Sequence, residues 1–292
     1  MSSEWKGVVL AGGKGARLWP VTKAVNKHLL ALYDRPLLHF PLSVLIESGI
    51  REIAIVSSPD ALPMIRALYS DGSDFGVRFT YIEQEEATGL GDGLRGARDF
   101  AQDSNTVLAL GDNVFLGRLF GPTVVQLIRQ TDGASVFTTP VSNASEFGVV
   151  ETRADGRPLR VVKSPRGGGP GLAMPGLFLF DASVYRRLEE GGPGFGVADA
   201  LQSYLDEKRL RIAPLPSGTQ WFDVGTVARM FSATLAVRSG VQTSVADLGG
   251  CPELAAYRQG WIDRRTLMER CVMHEGSAYA ERIVQILEHT PD

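Results

Sequence analysis

The sequence predicts an α/β fold built on a doubly wound, mostly parallel, Rossmann-like sheet. In the first half of the chain, short apolar runs alternate with helical patterns. Turn residues separate the two kinds of segment, and polar side chains follow directly after several of the apolar runs. Strand–helix alternation of this kind is typical of parallel sheets, whose ligands bind beyond the carboxyl ends of the strands.

Strands and helices alternate strictly through this half of the chain. The predicted strands are Gly7–Ala11, Glu52–Ser57, Val77–Gln84 and Thr106–Leu110. The predicted helices between and after them are Pro36–Ser48, Ala61–Tyr69, Leu90–Phe100 and Pro122–Thr131. The predicted strands are short apolar runs, whereas the predicted helices are longer and amphipathic, and this difference separates the two kinds of element.

The second half changes character and predicts an added β lobe followed by a helical tail. Turns separate four further strand-like runs, which are Ala134–Val141, Gly148–Thr152, Leu159–Lys163 and Gly176–Phe180. Helices are predicted at Val197–Leu205, Val227–Val237, Pro252–Arg258, Arg264–Glu269 and Ala278–Leu287. We therefore expect one α/β domain over 1–240, with the lobe at about 134–225, and a helical extension over 241–292.

Composition limits the classes of function. The chain has 292 residues, 44% of them hydrophobic, and a formal charge of −3. This balance gives no electrostatic case for binding nucleic acid or an anionic membrane surface. The two cysteines, Cys251 and Cys271, have neither metal-ligand nor disulfide-framework spacing, so we expect reduced thiols in a cytoplasmic protein. The N-terminus reads as a first strand, and no apolar run approaches the length of a membrane span.

A glycine-rich turn follows the first strand and favours a phosphate ligand. Gly12, Gly13 and Gly15 allow backbone N–H groups to come close to phosphate oxygens, and Arg17 and Lys27 add positive charge. This arrangement suits a triphosphate. The glycines alone would also be compatible with an ordinary tight turn.

The turn differs from two common phosphate-binding motifs. It lacks the Gly-Lys-Ser/Thr ending of a Walker A loop, and Leu18 stands where the dinucleotide fingerprint has its third glycine. Neither an ATPase-type loop nor a dinucleotide site is therefore predicted.

Two aspartates follow other predicted strands. Asp112 lies in LALGDNVF and Asp223 in WFDVGT. Carboxylates at strand ends suit a hard cation such as Mg²⁺, which prefers oxygen ligands. Gly-Asp-Asn is also ordinary turn chemistry, so Asp112 alone leaves both interpretations open.

Together these motifs resemble one enzyme family. GGKGARLWPVTK followed by NKHLL, with GDN and W-x-D-x-GT further on, resembles the sugar-phosphate nucleotidyltransferases, most closely the short-type glucose-1-phosphate thymidylyltransferases. The resemblance implies Mg²⁺-dependent joining of a nucleoside triphosphate to a sugar 1-phosphate or related small phosphate, with release of pyrophosphate. It implies that Arg17, Lys27, Asp112 and Asp223 are catalytic and that the two aspartates hold the metal.

The resemblance also implies binding residues and an assembly. The implied nucleotide-binding residues are Leu10, Ala11, Gly12, Gly13, Lys14, Gly15, Ala16, Gln84, Gly89 and Asp112. Because QEEATGL matches the stretch where the family reads a pyrimidine, dTTP or UTP is favoured. The implied substrate-binding residues are Gly148, Lys163, Gly176 and Trp221. A homodimer or homotetramer is also implied.

The chain departs from the family on the sugar side. The family's EEKP motif stands here as Val161-Val162-Lys163-Ser164-Pro165, so either Lys163 is the family lysine or Ser164 replaces it. The threonine before the family's glycine-leucine strand is Pro175, and an acidic residue is replaced around Phe195-Gly196. These changes remove groups that would bond a polyol, and a site without such groups has altered specificity.

The expected acceptor is therefore a sugar phosphate other than plain glucose 1-phosphate. A deoxy or otherwise modified sugar phosphate, a cyclitol phosphate or another small phosphate with fewer hydroxyls would fit. Three alternatives remain open at this point. They are an ordinary glucose-1-phosphate thymidylyltransferase, a non-catalytic nucleotide-sugar-binding protein, and a glycosyltransferase of related architecture, although GDN lacks the second aspartate of a D-x-D motif. His28 stands where the family has glutamine, and it either packs or touches the nucleotide.

Overall fold

The computed structural model of the protein describes residues 4–86, 88–118, 120–243 and 249–289. In chain order, the strands are β1 (Trp5–Leu10), β2 (Ala31–Leu32), β3 (Arg35–Pro36), β4 (Glu52–Ser57), β5 (Arg78–Glu83), β6 (Asn105–Leu110), β7 (Asn113–Leu116), β8 (Ala134–Val141), β9 (Val149–Thr152), β10 (Pro158–Val162), β11 (Gly171–Ala173), β12 (Leu177–Phe180), β13 (Leu210–Pro214) and β14 (Gln220–Asp223).

The helices lie mainly between these strands and in the tail. They are α1 (His39–Glu47), α2 (Leu62–Tyr69), α3 (Leu90–Gly96), α4 (Arg98–Ala101), α5 (Phe120–Gln130), α6 (Ser183–Glu190), α7 (Val197–Asp206), α8 (Val227–Thr243), α9 (Pro252–Arg258), α10 (Arg264–Met273) and α11 (Ala278–Glu288). None of the helices in the described ranges combines the length and apolarity needed to cross a bilayer.

Within the described residues, one sheet of ten strands forms the centre of the protein, in the order β10-β9-β11-β8-β12-β6-β1-β4-β5 with β13 beside β8. Strands β6, β1, β4 and β5 are parallel, whereas β12 runs antiparallel to β6 and opens a mixed region that leads to the lobe. The predicted doubly wound α/β fold is confirmed. Because Leu10 is in register with both Leu110 and Val56, the carboxyl ends of three parallel strands meet at one edge.

Two apolar clusters cover the two faces of this sheet. Val9 of β1 packs on one face in a cluster that includes Leu42 of α1, and this cluster continues into the tail helices. Val8 packs on the other face with Leu94 of α3 and Leu201 of α7. Strand β1 is therefore buried on both sides, which explains why it reads as a continuous apolar run.

Several element boundaries differ from the predicted ones. The helix predicted to begin at Pro36 begins at His39, because β2 and β3 form a short hairpin before it. The helix predicted over Leu90–Phe100 is divided at Ala97 into α3 and α4. Helix α6 and the ribbon of β7 and β14 were not predicted. The division of the chain at residue 240 stays a prediction, and α8 continues past it to Thr243.

A buried polar cluster, formed by Asp34, Arg35, His39, Glu253 and Tyr279, joins the tail to the start of α1. The guanidinium of Arg35 donates to both carboxylate oxygens of Asp34, at 2.7 and 3.0 Å, and lies 4.9 Å from the centre of the Tyr279 ring. The hydroxyl of Tyr279 donates to Glu253, and the His39 ring lies 5.9 Å from the Tyr279 ring. Since Arg35 is only 2% exposed, its charge is balanced inside the protein, by the carboxylate of Asp34 and under the ring of Tyr279.

His39 should make the protein less stable in mild acid. Burial is the largest cause that lowers the pKa of His39, from 6.5 to about 4. An unfolded histidine takes up its proton below about pH 6.5, whereas native His39 does so only near pH 4. The unfolded state therefore binds more protons in this window, and the free energy of unfolding should fall as pH drops through it, by about 2 kcal/mol for this group at about pH 5.

Urea denaturation at about pH 8 and about pH 5 would measure this contribution. In His39→Gln, the loss of stability between the two pH values should be smaller than in the wild type by about 2 kcal/mol. An equal loss in both proteins would contradict the prediction.

Candidate active site

The glycine-rich turn is fixed at the carboxyl end of β1 by backbone contacts with the neighbouring strands. The amide of Gly111 donates to the carbonyl of Leu10 at 2.9 Å, and the hydroxyl of Ser57 donates to the carbonyl of Ala11 at 2.7 Å. Gly15 has a φ of 61°, a left-handed conformation that favours glycine, and it leads into a 3₁₀ turn at Ala16–Leu18. The turn is thereby held beside the segments that follow β4 and β6.

Gln84 lies directly against this turn. A Cβ atom placed on Gly12 would lie 2.8 Å from Oε1 of Gln84. The space that glycine leaves free at position 12 is therefore bordered by an amide that can both donate and accept hydrogen bonds. The structure brings together two of the predicted nucleotide-binding residues, one from each of two strand ends.

Lys27 and Asp112 form a short charge-assisted contact across the floor of the site. Nζ of Lys27 donates to Oδ2 of Asp112, and both side chains are largely buried. Burial is the largest single influence and would raise the pKa of Asp112, but the charge of Lys27, the His28 ring and the hydrogen bonds from Lys27 and Asn113 together outweigh it, so the pKa of this carboxyl lies below its usual range. Asp112 is accordingly ionised at neutral pH.

His28 packs behind this pair. Burial, followed by the charge of Lys27, lowers the pKa of His28 to about 3, so the ring is neutral. A Cβ atom on Gly111 would lie 2.7 Å from Cδ2 of the ring. Nδ1 lies 2.8 Å from Oδ1 of Asn26, which also accepts from the His28 backbone amide. Of the two roles open for His28, packing fits this position.

Asn113 connects Asp112 to two neighbouring segments of the cleft. Its Nδ2 donates to Oδ1 of Asp112 at 2.9 Å. Its Oδ1 accepts from the amide of Gly176 at 3.0 Å and from Nε1 of Trp221 at 2.6 Å. One buried amide therefore holds a strand-end carboxylate and two predicted substrate-binding residues together. The sequence signal for this role is the Asn of GDN, for which the sequence alone predicts only a turn.

The β7–β14 ribbon brings the second aspartate to the first. Asp223 ends β14 and is in register with Asn113, and the amide of Val224 donates to the carbonyl of Asp112 at 2.9 Å. Burial raises the pKa of Asp223, and the negative charge of Asp112 raises it further, while Arg229, Lys27 and Arg17 oppose them. The charge of Asp112 therefore acts directly on Asp223, and the two carboxylates repel each other.

Arg17 reaches the same place from the other side. Its guanidinium passes close to the backbone after Asp223, because a Cβ atom on Gly225 would lie 2.5 Å from Nη2 of Arg17. Arg17 forms no hydrogen bond or ion pair with the described part of the protein and is exposed. Its charge is therefore available to a ligand in the cleft.

Arg17, Asp112 and Asp223 line one cleft of about 300 Å³. Five of the residues predicted to bind nucleotide or substrate also line it, and they are Gly89, Gly148, Lys163, Gly176 and Trp221. Lys163 is exposed and makes no ion pair with the described residues. The cleft thus contains two carboxylates at its floor and two free cations, Arg17 and Lys163.

Other predicted residues contribute differently or lie apart. The side chains of Leu10 and Ala11 are buried, so only their backbone borders the turn. Lys14 and Ala16 are exposed in the turn and do not line the cleft. Gly13 lies against Lys27, since a Cβ atom there would be 3.4 Å from Nζ. The roles assigned to these residues stay predictions.

Sequence reasoning missed Arg229, near the start of α8. Its Nη1 donates to Oδ2 of Asp223 at 3.2 Å, and its Nη2 donates to Oε2 of Glu146. Its guanidinium carbon also lies 4.8 Å from the centre of the Phe147 ring. Nothing in the local sequence indicates these contacts, because they depend on the folding of the lobe against α8.

The donor set fits a magnesium ion that is shared with a substrate. No group of three or more His, Cys, Asp or Glu side chains suited to a metal occurs within the described residues. The residues that could hold a metal here are Asp112 and Asp223, whose mutual repulsion a cation would relieve. Mg²⁺ commonly takes one or two carboxylates and completes its shell with water and phosphate oxygens.

Comparison with known proteins identifies the family. The model of the nucleotidyl transferase family matches residues 6–240, and the chain belongs to that family. The resemblance found in the sequence is confirmed. Glucose-1-phosphate thymidylyltransferase from Mycolicibacterium smegmatis is 36% identical over 292 residues, covering 97% of this chain and 99% of the relative. The Neisseria meningitidis enzyme of the same name is 34% identical over 290 residues, again covering 97% and 99%.

Solved structures agree with this assignment. A Bacillus anthracis protein described as a glucose-1-phosphate thymidylyltransferase, in complex with sucrose, superposes with a TM-score of 0.75 at 29% identity, covering 80% of this chain and 95% of that one. A UDP-glucose pyrophosphorylase with bound UDP-glucose shares the fold, with a TM-score of 0.69 at 20% identity, covering 81% and 99%.

Gly225→Ala should displace Arg17 and lower turnover. The new Cβ atom would collide with the free end of Arg17, which can swing away at little cost in stability. Because a shift of about 1 Å in a positioned group can reduce a rate about 100-fold, we expect kcat to fall about 10- to 100-fold. Steady-state kinetics with thermal unfolding would test this. A variant with normal kcat, or one that is inactive because it unfolds, would contradict it.

Proposed function

We propose that this nucleotidyltransferase joins dTTP or UTP to a sugar 1-phosphate. A phosphate oxygen of the acceptor would form a bond to the α-phosphorus, and the bond from that phosphorus to the leaving pyrophosphate would break. The observation that carries the proposal is the convergence of Asp112, Asp223, Lys27 and Arg17 at the carboxyl ends of the parallel strands. Such a transfer needs positioning and charge stabilisation rather than a nucleophilic side chain.

The cations would act on the two polyanions. Arg17, free and exposed, is placed to bind the triphosphate and to stabilise charge on the departing pyrophosphate. Lys27, held by Asp112, would lie close to the reacting phosphates. Because Lys27 is largely buried, its electrostatic attraction to the phosphates would be stronger than in water. The glycine turn would supply backbone N–H donors to the same phosphates.

Asp112 and Asp223 would hold Mg²⁺ together with phosphate oxygens. The ion would supply charge neutralisation on the phosphates and fix their orientation. Burial raises the pKa of Asp223 and repulsion from Asp112 raises it further, and this repulsion is the property of this chain that favours a cation there.

The preference for a pyrimidine rests on Gln84 and Gly89. The Gln84 amide lies at the edge of the glycine turn, and Gly89, with a φ of 146°, directly precedes α3 and lines the cleft. An amide can pair with the imide edge of thymine or uracil, which offers both a donor and an acceptor.

The acceptor wall favours a sugar phosphate with fewer hydroxyls than glucose 1-phosphate. Several polar side chains that line the cleft are already bonded to the protein. Asp92 binds Arg95, Asp199 accepts from the amide of Gly196, and Glu146 binds Arg229. Much of the remaining wall is apolar or glycine, and it includes Leu90, Met174, Phe178, Phe195, Val197 and Ala198. Such a wall stabilises apolar ligand surface and leaves extra hydroxyls without partners.

Plain glucose 1-phosphate is the second candidate acceptor. The observation in its favour is the near full-length similarity to enzymes named for that substrate. The two candidates share the phosphate site and differ only in the sugar hydroxyls that the wall must accommodate.

A panel of acceptors with dTTP and UTP would separate the two candidates. Pyrophosphate release should be fastest with a deoxyhexose 1-phosphate, and the advantage over glucose 1-phosphate should appear mainly in the acceptor KM. A missing or extra hydroxyl in an apolar pocket changes specificity by about 10- to 100-fold. If glucose 1-phosphate gives the highest kcat/KM, the second candidate stands and the first is rejected.

Asp112→Asn should nearly abolish turnover while preserving the fold. The amide keeps the shape but loses the charge that pairs with Lys27 and would hold Mg²⁺, so we expect kcat to fall about 100- to 1000-fold. Asp103→Asn is a matched control, because Asp103 is an exposed aspartate just before the other end of β6. Removing divalent ions with EDTA should stop the wild type and Asp103→Asn alike. Retained activity in Asp112→Asn would reject both a catalytic Asp112 and the metal site.

The same measurement addresses the non-catalytic alternative. A nucleotide-sugar-binding protein would bind the product without releasing pyrophosphate from a triphosphate and an acceptor. We further propose a cytoplasmic enzyme that forms a homodimer or homotetramer. The buried thiols of Cys251 and Cys271 support a reducing compartment, and light scattering of the purified protein would determine its oligomeric state.

A further inference from the structure

Arg229 occupies a distinctive position behind the cleft. Its side chain contacts the carboxylate of Asp223, the carboxylate of Glu146 and the ring of Phe147. Those three residues line the cleft, whereas Arg229 itself does not. Arg229 can therefore act on a bound substrate only through the residues that it holds.

The three contacts come from two different parts of the fold. Asp223 ends β14, at the floor of the cleft beside Asp112. Glu146 and Phe147 precede β9 and form part of the acceptor wall. One guanidinium thus spans from the proposed metal carboxylate to the wall that would contact the acceptor.

This bridge differs from an ordinary surface ion pair. The Arg229 side chain is only 25% exposed, and the Asp223 side chain is 19% exposed. Isolated surface pairs contribute little because both side chains remain mobile and solvated. A planar guanidinium that donates to two carboxylates and lies over a ring has its orientation fixed by all three contacts.

The two carboxylates share one cation through different nitrogens, Nη1 for Asp223 and Nη2 for Glu146. The more strongly Glu146 holds Arg229, the less Arg229 neutralises Asp223, and the more of the Asp223 charge remains available to a metal ion. We propose that Arg229 is a positioning residue which, shared between Glu146 and Asp223, couples the acceptor wall to the metal carboxylate. This inference rests on the proposed nucleotidyl transfer at the same site.

The coupling predicts that Glu146→Gln weakens metal binding at Asp223, although Glu146 does not bind the metal itself. With Glu146 neutral, Arg229 should pair with Asp223 alone and compete with the metal. Mn²⁺, used as a probe in place of Mg²⁺, should then bind about fivefold more weakly to the complex of the enzyme with a non-hydrolysable triphosphate, a coupling of ordinary size. Titration followed by electron paramagnetic resonance measures free Mn²⁺ without any turnover.

A double-mutant cycle separates this coupling from a direct charge effect. In an Arg229→Gln background, Glu146→Gln should no longer change the Mn²⁺ affinity, because the shared cation is gone. A fivefold effect that persists in that background would show that Glu146 acts on the metal through space, and it would overturn the proposal. No effect of Glu146→Gln in either background would overturn it as well.

Kinetics supply an independent readout. Arg229→Gln and Arg229→Lys should both lower kcat about 10- to 100-fold and raise the acceptor KM, because lysine keeps the charge but cannot fork between two carboxylates. The KM for the triphosphate should change little. Arg238→Gln, an exposed position on the same helix, is the matched control and should behave as the wild type. Full activity in Arg229→Lys would show that charge alone suffices and would contradict the bridge.

The proposed function can fail separately from this inference. If the wild type releases no pyrophosphate with any acceptor, the proposed function is wrong, and the Mn²⁺ cycle still tests the bridge. If the wild type turns over but the cycle is additive, the function stands and the coupling role of Arg229 is wrong. Thermal unfolding of each variant identifies any that simply lose the fold.

Discussion

The contact between Lys27 and Asp112 is the interaction on which the site depends. It joins the segment after β1 to the segment after β6, two strands already in register at Leu10 and Leu110. Neutral His28 packs behind the pair and the amide of Asn113 donates to Asp112, so the pair is held in place while Asp112 still faces the cleft. The charge pattern that faces a ligand is therefore set before any ligand arrives, which is the condition under which electrostatic stabilisation is most effective.

Much of the fold, the glycine turn and the strand-end aspartates could be predicted from the sequence because short-range patterns encode them. The alternation of apolar and amphipathic runs predicts the sheet, and the polar residues that follow the apolar runs predict the glycine turn and the aspartates at the strand ends. The β7–β14 ribbon could not be predicted, because Gln220–Asp223 is short and its pairing with Asn113–Leu116 is set by tertiary contacts. The contacts of Arg229 could not be predicted for the same reason, since its partners meet only when the lobe folds against α8.

Contacts within the protein shape the side of the cleft between α3 and the loop before α7. Arg95 donates to the carbonyls of Leu188, Gly192 and Phe195, which holds the loop before α7 against α3. Gly91 and Gly196 meet so closely that a Cβ atom on Gly91 would lie 2.7 Å from the Gly196 Cα. This side of the cleft is formed by close packing of backbone and by polar groups that are satisfied internally, so it leaves no motif of cleft-facing polar side chains in the sequence.

The buried guanidinium of Arg35 has a consequence for how such chains can diverge. Its partners come from both ends of the sequence: Asp34 lies beside it, while the carbonyl of Gly249 accepts from it at 2.9 Å and Tyr279 covers it. A foreign C-terminal region grafted onto this chain would leave that cation with Asp34 but without the carbonyl of Gly249 and the ring of Tyr279. The hairpin and the last helices must accordingly be inherited as a matched set, although more than two hundred residues separate Arg35 from Gly249 along the polypeptide.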